Sequence, residues 1–319
     1  MAGLPLVTGA TGFAGSHLVD HLLEREPAIA AWSNPRGMAV SASNPKVTWD
    51  AVDLLDREAV RDAVARLQPS VVYHCAGAAD VGTSWGDPVT PLRVNALGTH
   101  HLLEAVRLAA SNSTVVVVGS ATIYRASADP LDEESPIGPS SPYGVSKLAQ
   151  EMIAARIGAF PVAPFPVVLA RPFNHAGPRQ SPAFVTSSFA RQIADIEAGI
   201  APPVLSVGNL DARRDITDVR DTVRAYRLLA ERGRPCRPYN ICSGRACRIG
   251  DLLEMMLAQA RTQIQVSSDP TRLRPSDQPL ILGDPSRTRT EVGWHATIPI
   301  EDTLKDLLAY WRHRVAARV

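Results

Sequence analysis

The chain has 319 residues, 45% of them hydrophobic, and a formal net charge of +1. This length suits one large domain or two closely packed ones, and the balanced charge argues against nucleic acid or an anionic membrane as a partner. The first apolar stretch, LPLVTGA, is short and lacks a basic leader, so we expect neither a signal peptide nor a membrane anchor. The four cysteines, Cys75, Cys236, Cys242 and Cys247, suit a cytoplasmic protein, and their spacing predicts no metal site.

Short β-branched runs alternate with helical stretches over the first 170 residues. Strands are predicted at LPLVT (4–8), AIAAW (28–32), VTWDAV (47–52), VVYHC (71–75), TVVVV (114–118) and PVVLA (166–170). Between them, apolar residues recur at helical spacing in HLVDHLLERE, DREAVRDAVARL and HHLLEAVRLAA. This alternation predicts an α/β fold with a doubly wound parallel sheet of the Rossmann-like kind.

The regular alternation ends after residue 171, where helical pieces are separated by loops rich in proline and arginine. We predict a dinucleotide-binding domain made of residues 1–171 and 217–243. A smaller substrate-binding region is predicted for 172–216 and 244–298, followed by a C-terminal helix in 299–319. The segment RPYNICSG is expected to return a strand to the main sheet.

Three glycines follow the first predicted strand, in the order Gly9, Gly12 and Gly15. Glycine permits a tight turn and a close approach of the backbone to a pyrophosphate, and the following helix offers unpaired N–H groups to the anion. The spacing G-x-x-G-x-x-G between a strand and an amphipathic helix therefore predicts dinucleotide binding. The alternative is a glycine-rich turn with only a packing role.

The end of the second predicted strand, AAWSNPRG, carries no acidic residue. An acid there would bind the ribose 2′-OH of NAD, whereas Arg36 can pair with the 2′-phosphate of NADPH. We therefore predict NADPH, with NAD possible, and the alternative for Arg36 is an ordinary surface arginine. Asp53 stands where the adenine edge is expected, although it also suits a cap of the next helix.

The segment SPYGVSK places Tyr143 and Lys147 one helical turn apart, after the N-cap residue Ser141. An ammonium beside a tyrosine stabilises the phenolate and is expected to lower the tyrosine pKa. Ser120 follows the strand TVVVV, and the carboxyl ends of parallel strands form the crevice where open α/β sheets bind ligands. The three residues together predict a site that transfers a proton to a reacting oxygen.

These glycines, Ser120 and the Tyr143–Lys147 pair resemble the extended short-chain dehydrogenase/reductase family, which acts largely on nucleotide sugars. The resemblance covers nearly the whole chain and narrows to the GDP-mannose 4,6-dehydratase and GDP-6-deoxy-4-ketohexose reductase branch. The similar stretches are SWGDPVTPLRVNALGTHHLLEA, RPFNHAGPRQSPAFVTSSFARQIADIEAG, VGNLDARRDITDVRD and RLRPSDQPLILGDPSRTRTEVGW.

The resemblance implies that Ser120, Tyr143 and Lys147 form the catalytic triad. The expected cofactor contacts are Gly9, Gly12, Phe13, Gly15, Arg36, Asp53, Ala76 and Lys147. The expected substrate contacts are Ser84, Asn174, Arg191, Arg214 and Arg274. Arginine suits the diphosphate because a guanidinium binds phosphate with two parallel hydrogen bonds. For each arginine, the alternative is a surface ion pair.

Two positions depart from the family pattern. The dehydratases carry a glutamate two residues after the triad hydroxyl, where it removes the C5 proton, but this chain has Thr122. A threonine hydroxyl cannot act as that base at neutral pH, and Asp80 and Glu133 are the other acids we considered for it. Arg125 replaces a glycine common in the family, which predicts an additional cation near the rim of the site.

The resemblance therefore implies an NADPH-dependent reductase that converts the C4 ketone of a GDP-6-deoxy-4-keto-hexose to a GDP-6-deoxyhexose of the GDP-rhamnose type. The sequence leaves the stereochemistry at C4 open, so a product of the talose type is the alternative. A 4-epimerase with tightly bound NAD is the first alternative, and a non-catalytic nucleotide-binding protein is the second. A homodimer is implied by the family, with Asn95 in a structural role on the helix that lines its interface.

Overall fold

The structure is a computed structural model that describes residues 3–37, 44–110, 112–159, 165–273 and 278–317. In chain order the strands of these residues are β1 (Leu6–Thr8), β2 (Ile29–Ser33), β3 (Val47–Ala51), β4 (Val71–His74), β5 (Thr114–Val118), β6 (Val167–Pro172), β7 (Asn174–Ala176), β8 (Val204–Val207), β9 (Arg213–Asp218), β10 (Pro238–Ile241), β11 (Ala246–Arg248), β12 (Gln265–Ser268) and β13 (Leu280–Ile281).

The helices of the same residues are α1 (Phe13–Leu23), α2 (Arg57–Leu67), α3 (Val89–Pro91), α4 (Gly98–Ala109), α5 (Pro142–Gly158), α6 (Val185–Glu197), α7 (Val219–Arg232), α8 (Ile249–Leu257) and α9 (Ile300–Ala316). A π-helical turn, Leu92–Leu97, joins α3 to α4. None of the described helices is long and apolar enough to cross a membrane.

A seven-stranded sheet of parallel strands, in the order β10-β6-β5-β4-β1-β2-β3, forms the centre of the fold. Its strands are apolar on both faces because helices cover both. Within β5, Val116 packs in the cluster with α1 and α7, while Val115 and Val117 pack in the cluster with α2 and α4. The predicted α/β fold is confirmed, and so is the return of the RPYNICSG segment, which forms β10 beside β6.

The strand order reverses at β1, which pairs with β2 on one side and β4 on the other. A reversal of this kind leaves a crevice outside the carboxyl ends of the strands. The glycines, Ser120 and the start of α5 follow those strand ends, so the topology brings them to the same edge of the sheet.

The remaining strands form a four-stranded sheet of β7, β9, β11 and β13, and a two-stranded sheet of β8 and β12. A third hydrophobic cluster joins α6, α8 and α9 beneath them, with Leu304, Leu307 and Trp311 of α9 buried in it. These two sheets with α6, α8 and α9 form the smaller lobe of the fold. The sequence analysis treated the C-terminal helix as separate from the substrate-binding region, but the apolar face of α9 packs within this lobe. The predicted domain boundaries stay a prediction.

Candidate active site

The glycine turn between β1 and α1 has no room for side chains. Gly9 has φ +65°, and a Cβ on it would lie 2.6 Å from the Cα of Ala76. A Cβ on Gly15 would lie 2.1 Å from the carbonyl oxygen of Gly9. Gly12 precedes α1, and no side chain caps the helix, so its first N–H groups are open to an anion. The turn therefore fits a dinucleotide pyrophosphate approaching the backbone.

A cavity of about 1750 Å³ runs from this turn along the carboxyl ends of the sheet and into the smaller lobe. All the residues predicted for the triad and the cofactor line it. So do two of the predicted substrate residues, Asn174 and Arg214. Residues predicted from motifs as far apart in the chain as Gly9 and Arg214 therefore line the same cavity.

Arg36 and Asp53 lie together at the end of the cavity where the second strand finishes. The Arg36 guanidinium is 85% exposed and lies 3.8 Å from the Asp53 carboxylate. Asp53 accepts a hydrogen bond from the backbone N–H of Leu55, whereas Asp56 is the N-cap of α2. Asp53 therefore does not cap the helix, and Arg36 is exposed enough to exchange its distant ion pair for a phosphate.

The catalytic helix α5 begins as the sequence predicted. Ser141 accepts a hydrogen bond from Gly144 N at 3.1 Å and Pro142 occupies the first turn. Tyr143 and Lys147 then face the cavity, and the Lys147 ammonium donates to the carbonyl oxygen of Val118 at 2.6 Å. Lys147 is thus anchored to the end of β5, directly before the Ser120 turn.

The protonation behaviour of this pair differs from the expectation. Burial raises the pKa of Tyr143 to about 12, and a hydrogen bond with Ser120 offsets part of the rise. Burial lowers the pKa of Lys147 to about 8, with the nearby Cys75 and Glu151 acting in the opposite direction. The expectation that Lys147 lowers the pKa of Tyr143 was therefore wrong for this geometry, because desolvation dominates and the ammonium is directed to Val118. At neutral pH Tyr143 is a phenol with a proton to donate.

The Ser120 hydroxyl lies at the end of β5, at the start of a short 3₁₀ turn, Ala121–Ile123. Its Oγ is 3.2 Å from the N–H of Thr122 and 2.9 Å from the Thr122 hydroxyl, which donates to it. Thr122 lines the cavity as well. Thr122, which stands where the dehydratases have a glutamate, is therefore hydrogen-bonded to Ser120.

A buried ion pair lies beneath the Ser120 turn, and the sequence reasoning missed it. Arg171, at the end of β6, binds both carboxylate oxygens of Glu151 on α5, at 2.9 and 2.6 Å. Arg171 also donates to the Tyr124 hydroxyl at 2.7 Å. A Cβ on Gly119 would lie 3.6 Å from a Glu151 oxygen. The sequence could have drawn attention to Glu151, because it lies one helical turn after Lys147. No pattern near Glu151 in the sequence indicates that Arg171 is its partner.

The two other acids considered as a base do not line the cavity. Glu133 is buried, accepts the backbone N–H of Asn240 at 2.7 Å and lies 3.5 Å from the Arg287 guanidinium. Asp80 accepts backbone N–H groups of its own turn, from Gly82 and Thr83. Both carboxylates are therefore engaged elsewhere.

Two of the predicted substrate residues, Ser84 and Arg191, do not line the cavity. Ser84 is buried outside the cavity lining, and its hydroxyl donates to Val81 O at 2.7 Å. Arg191 lies over the Trp311 ring at 5.6 Å and pairs with Asp195, so its guanidinium faces α9 instead of the cavity. Arg274 lies outside the described residues.

Two arginines that the sequence reasoning did not select line the cavity. Arg272 pairs with Asp269 at 3.3 Å. Arg93, on the π-helical turn, lines it too, and its guanidinium has no hydrogen bond or ion pair with the described residues. Arg125, in contrast, is exposed beside Gly138 and does not line the cavity, so the cation predicted at the rim is absent from that place.

Asn95 is fully buried on the π-helical turn behind the cavity. Its side chain accepts the N–H of Ala78 at 2.8 Å and donates to the Ser146 hydroxyl at 2.9 Å. The Asn95 side chain therefore joins the cavity floor to α5. This contact is structural, as expected for Asn95, and the dimer interface on its helix stays a prediction.

Comparisons with known proteins agree with this geometry. The family model described as GDP-mannose 4,6 dehydratase matches residues 6–307. GDP-6-deoxy-D-mannose reductase of Pseudomonas aeruginosa is 34% identical over 312 residues, covering 97% of this chain and 97% of that protein. The structure of RMD from Pseudomonas aeruginosa complexed with NADPH is 32% identical with a TM-score of 0.85, covering 98% of this chain and 100% of that one. UDP-glucose 4-epimerase with UDP-glucose from Thermotoga maritima is 25% identical with a TM-score of 0.87, covering 98% and 99%.

The family match spans nearly the whole described chain and includes the glycine turn, Ser120, Tyr143 and Lys147. The resemblance inferred from the motifs is therefore confirmed. The chain belongs to the GDP-mannose 4,6-dehydratase family of enzymes, within the extended short-chain dehydrogenase/reductase fold.

Proposed function

We propose that this protein is an NADPH-dependent reductase of the C4 ketone of a GDP-6-deoxy-4-keto-hexose, and that it produces a GDP-6-deoxyhexose of the GDP-rhamnose type. The observation that carries the proposal is the cavity wall around Ser120, Tyr143 and Lys147, which has Thr122 in place of the dehydratase acid. That wall can deliver a proton to an oxygen, but Thr122 cannot remove the C5 proton as the dehydratase glutamate does. The relative from P. aeruginosa, named for reduction of a GDP-6-deoxy sugar, supports the same reading.

NADPH, when bound, supplies the hydride that reduces the C4 carbonyl. Tyr143 donates its proton to the oxygen on which negative charge develops, since its raised pKa keeps it protonated at neutral pH. Ser120 donates a hydrogen bond to the same oxygen, which stabilises the developing negative charge. The Lys147 ammonium donates a hydrogen bond to Val118 O, which fixes its position at the end of β5. It carries a positive charge at pH values below its pKa of about 8.

The choice of NADPH over NADH rests on Arg36, which stands where NAD-binding folds carry an acid. The 2′-phosphate bears two negative charges, and the exposed guanidinium can bind it with two hydrogen bonds. Because Asp53 lies 3.8 Å from Arg36 and would repel the 2′-phosphate, we expect a weaker preference for NADPH than an arginine without an acidic neighbour would give. NAD therefore remains a usable cofactor in this proposal.

The substrate side of the cavity is cationic and polar, as a sugar diphosphate requires. Arg214 and Arg272 line it together with Asn174. We assign the diphosphate to Arg214 and Arg272, which line the same cavity, because two guanidinium groups can each bind phosphate oxygens with paired hydrogen bonds. Arg274, in the same segment as Arg272, stays a prediction from the sequence.

The test is product analysis with the purified enzyme. A GDP-4-keto-6-deoxy-hexose incubated with NADPH should be consumed, with loss of the reduced nicotinamide absorbance and a product two hydrogens heavier. GDP-mannose with NADP should give no dehydrated product. The reverse result, a dehydrated product and no reduction of the keto sugar, would refute the proposal.

A 4-epimerase is the second candidate, favoured by the likeness to the Thermotoga maritima epimerase. An epimerase takes a hydride from C4 and returns it to the other face, so it must retain its cofactor throughout. Tightly bound NAD in the purified protein, together with interconversion of C4 epimers and no net oxidation, favours this candidate. Release of cofactor on dilution favours the reductase.

We also propose a homodimer in the reducing cytoplasm. The neighbouring helices α4 and α5 expose the apolar side chains Leu108, Val145 and Met152, and burial against a second copy would remove them from water. The four cysteines are free thiols. The molar mass in solution tests the dimer, and Met152→Glu should shift it toward the monomer.

A further inference from the structure

Thr122 was noted in the sequence because it is not a glutamate, but the structure gives it a contact of its own. A serine hydroxyl has one proton to donate and two lone pairs to accept with. Ser120 Oγ accepts the Thr122 N–H at 3.2 Å and the Thr122 hydroxyl at 2.9 Å. Both acceptor positions of Ser120 are thereby filled, and only its proton is left to make a contact outside the turn.

The contact between the two hydroxyls has a defined direction, in which Thr122 donates and Ser120 Oγ accepts. The Ser120 side chain lies at the end of β5 and lines the cavity together with Tyr143. The Ser120 proton is therefore left to be donated into the cavity, where the proposed reductase binds its substrate.

This direction matters for reduction of a ketone. A Ser120 oxygen with a free lone pair could accept the proton of Tyr143, and Tyr143 would then have no proton directed at the substrate oxygen. With its lone pairs filled, Ser120 can only donate, and Tyr143 keeps its proton for the alkoxide. A chain of donors also polarises each successive O–H, which strengthens the last bond in the chain.

We propose that Thr122 is a positioning residue, which fixes Ser120 as a one-way hydrogen-bond donor to the reacting oxygen and leaves the proton of Tyr143 for the product. This inference rests on the proposed reductase function and assigns a role in it to the residue that distinguishes this chain from the dehydratases. No proton leaves Thr122 in the reaction; the proton added to the alkoxide comes from Tyr143.

The informative variant is Thr122→Val, which keeps the shape and the backbone N–H but removes the hydroxyl. We expect kcat to fall about 3- to 10-fold, the usual worth of one net hydrogen bond. KM for the sugar nucleotide and Kd for NADPH should stay within about twofold, because Thr122 acts through Ser120. Thr122→Ser should recover most of the loss. Thr303→Val is the matched control, because it removes a buried threonine hydroxyl, bound to Asp218 at 2.8 Å, from the other lobe. It should lower stability and leave kcat unchanged.

The decisive measurement is a double-mutant cycle with Ser120→Ala. If Thr122 acts through Ser120, Thr122→Val should change kcat less than about twofold when Ser120 is already alanine. An equal loss in both backgrounds, or no loss in the wild-type background, overturns the inference. A wild-type enzyme that does not reduce the keto sugar overturns the proposed function instead. The same cycle is then measured on C4 epimerisation, which needs the same donor.

Discussion

Glu151→Gln removes the charge that neutralises a guanidinium buried under the catalytic turn. In the wild type, Arg171 is 7% and Glu151 11% exposed, and two hydrogen bonds of 2.9 and 2.6 Å join them. Glutamine preserves the size of the side chain but carries no charge and offers only one acceptor oxygen. Arg171 would keep its contacts with Tyr124 and the carbonyl of Glu133, both of them neutral.

The size of the effect follows from the burial of the pair. Removing one partner of a buried ion pair leaves an uncompensated charge and costs about 3–5 kcal/mol. Tyr124 and the Glu133 carbonyl satisfy two of the five N–H groups of Arg171, and the glutamine oxygen can accept from a third. We therefore expect the lower end, about 3 kcal/mol of unfolding free energy. The change also acts on Lys147, one turn away, because the Glu151 carboxylate raises the Lys147 pKa.

The assay combines urea denaturation with the pH dependence of kcat/KM, which reports groups of the free enzyme. Without Glu151, the pKa of Lys147 should fall further below about 8, so the alkaline loss of activity should begin at lower pH. Glu197→Gln is the matched control: its partner Arg312 is also bound twice, at 2.7 and 2.8 Å, but in the smaller lobe. It should lower stability without moving the pH profile.

Two results would refute this reasoning. A loss of less than about 1 kcal/mol in Glu151→Gln would mean that water or a neighbouring group compensates the Arg171 charge. An unchanged pH profile would mean that the Glu151 carboxylate does not act on Lys147.

Three further predictions concern the chemistry. Tyr143→Phe should lower kcat by about 10²- to 10⁴-fold with little change in the Kd of the sugar nucleotide, and near-normal turnover would exclude Tyr143 as the acid. Arg36→Ala should weaken NADPH by about tenfold or more and leave NADH nearly unchanged, when kcat/KM is compared for both cofactors; equal losses would show that Arg36 acts on a shared group. In the wild type, Lys147 is charged below its pKa of about 8, so kcat/KM for reduction should be level at neutral pH and fall as pH rises through that value. A profile that stays level to pH 10 would mean that the charge of Lys147 is not required.

Several features of the site depend only on residues that are adjacent in the chain, so they could be predicted from the sequence. The turn at Gly9 needs a positive φ and a close approach to Ala76, and glycine is the residue that tolerates both. The Ser141 cap and Pro142 fix where α5 begins, so the spacing of Tyr143 and Lys147 alone places both on one face. Apolar runs such as TVVVV predict buried parallel strands, and the carboxyl ends of those strands meet at one edge.

Other parts depended on which elements pack together, and no local pattern encodes that. Arg191 sits on an amphipathic helix, but the face of α6 that meets the cavity is decided by packing against Trp311 of α9. The partner of Glu151 is an arginine at the end of another strand. The pKa of Tyr143 depends on how far burial removes its hydroxyl from water and on the hydrogen bond with Ser120. Local sequence determines backbone conformation and spacing because those depend on adjacent residues; desolvation, ion pairing and the exposed face of a helix depend on contacts across the fold, and only the tertiary structure decided them.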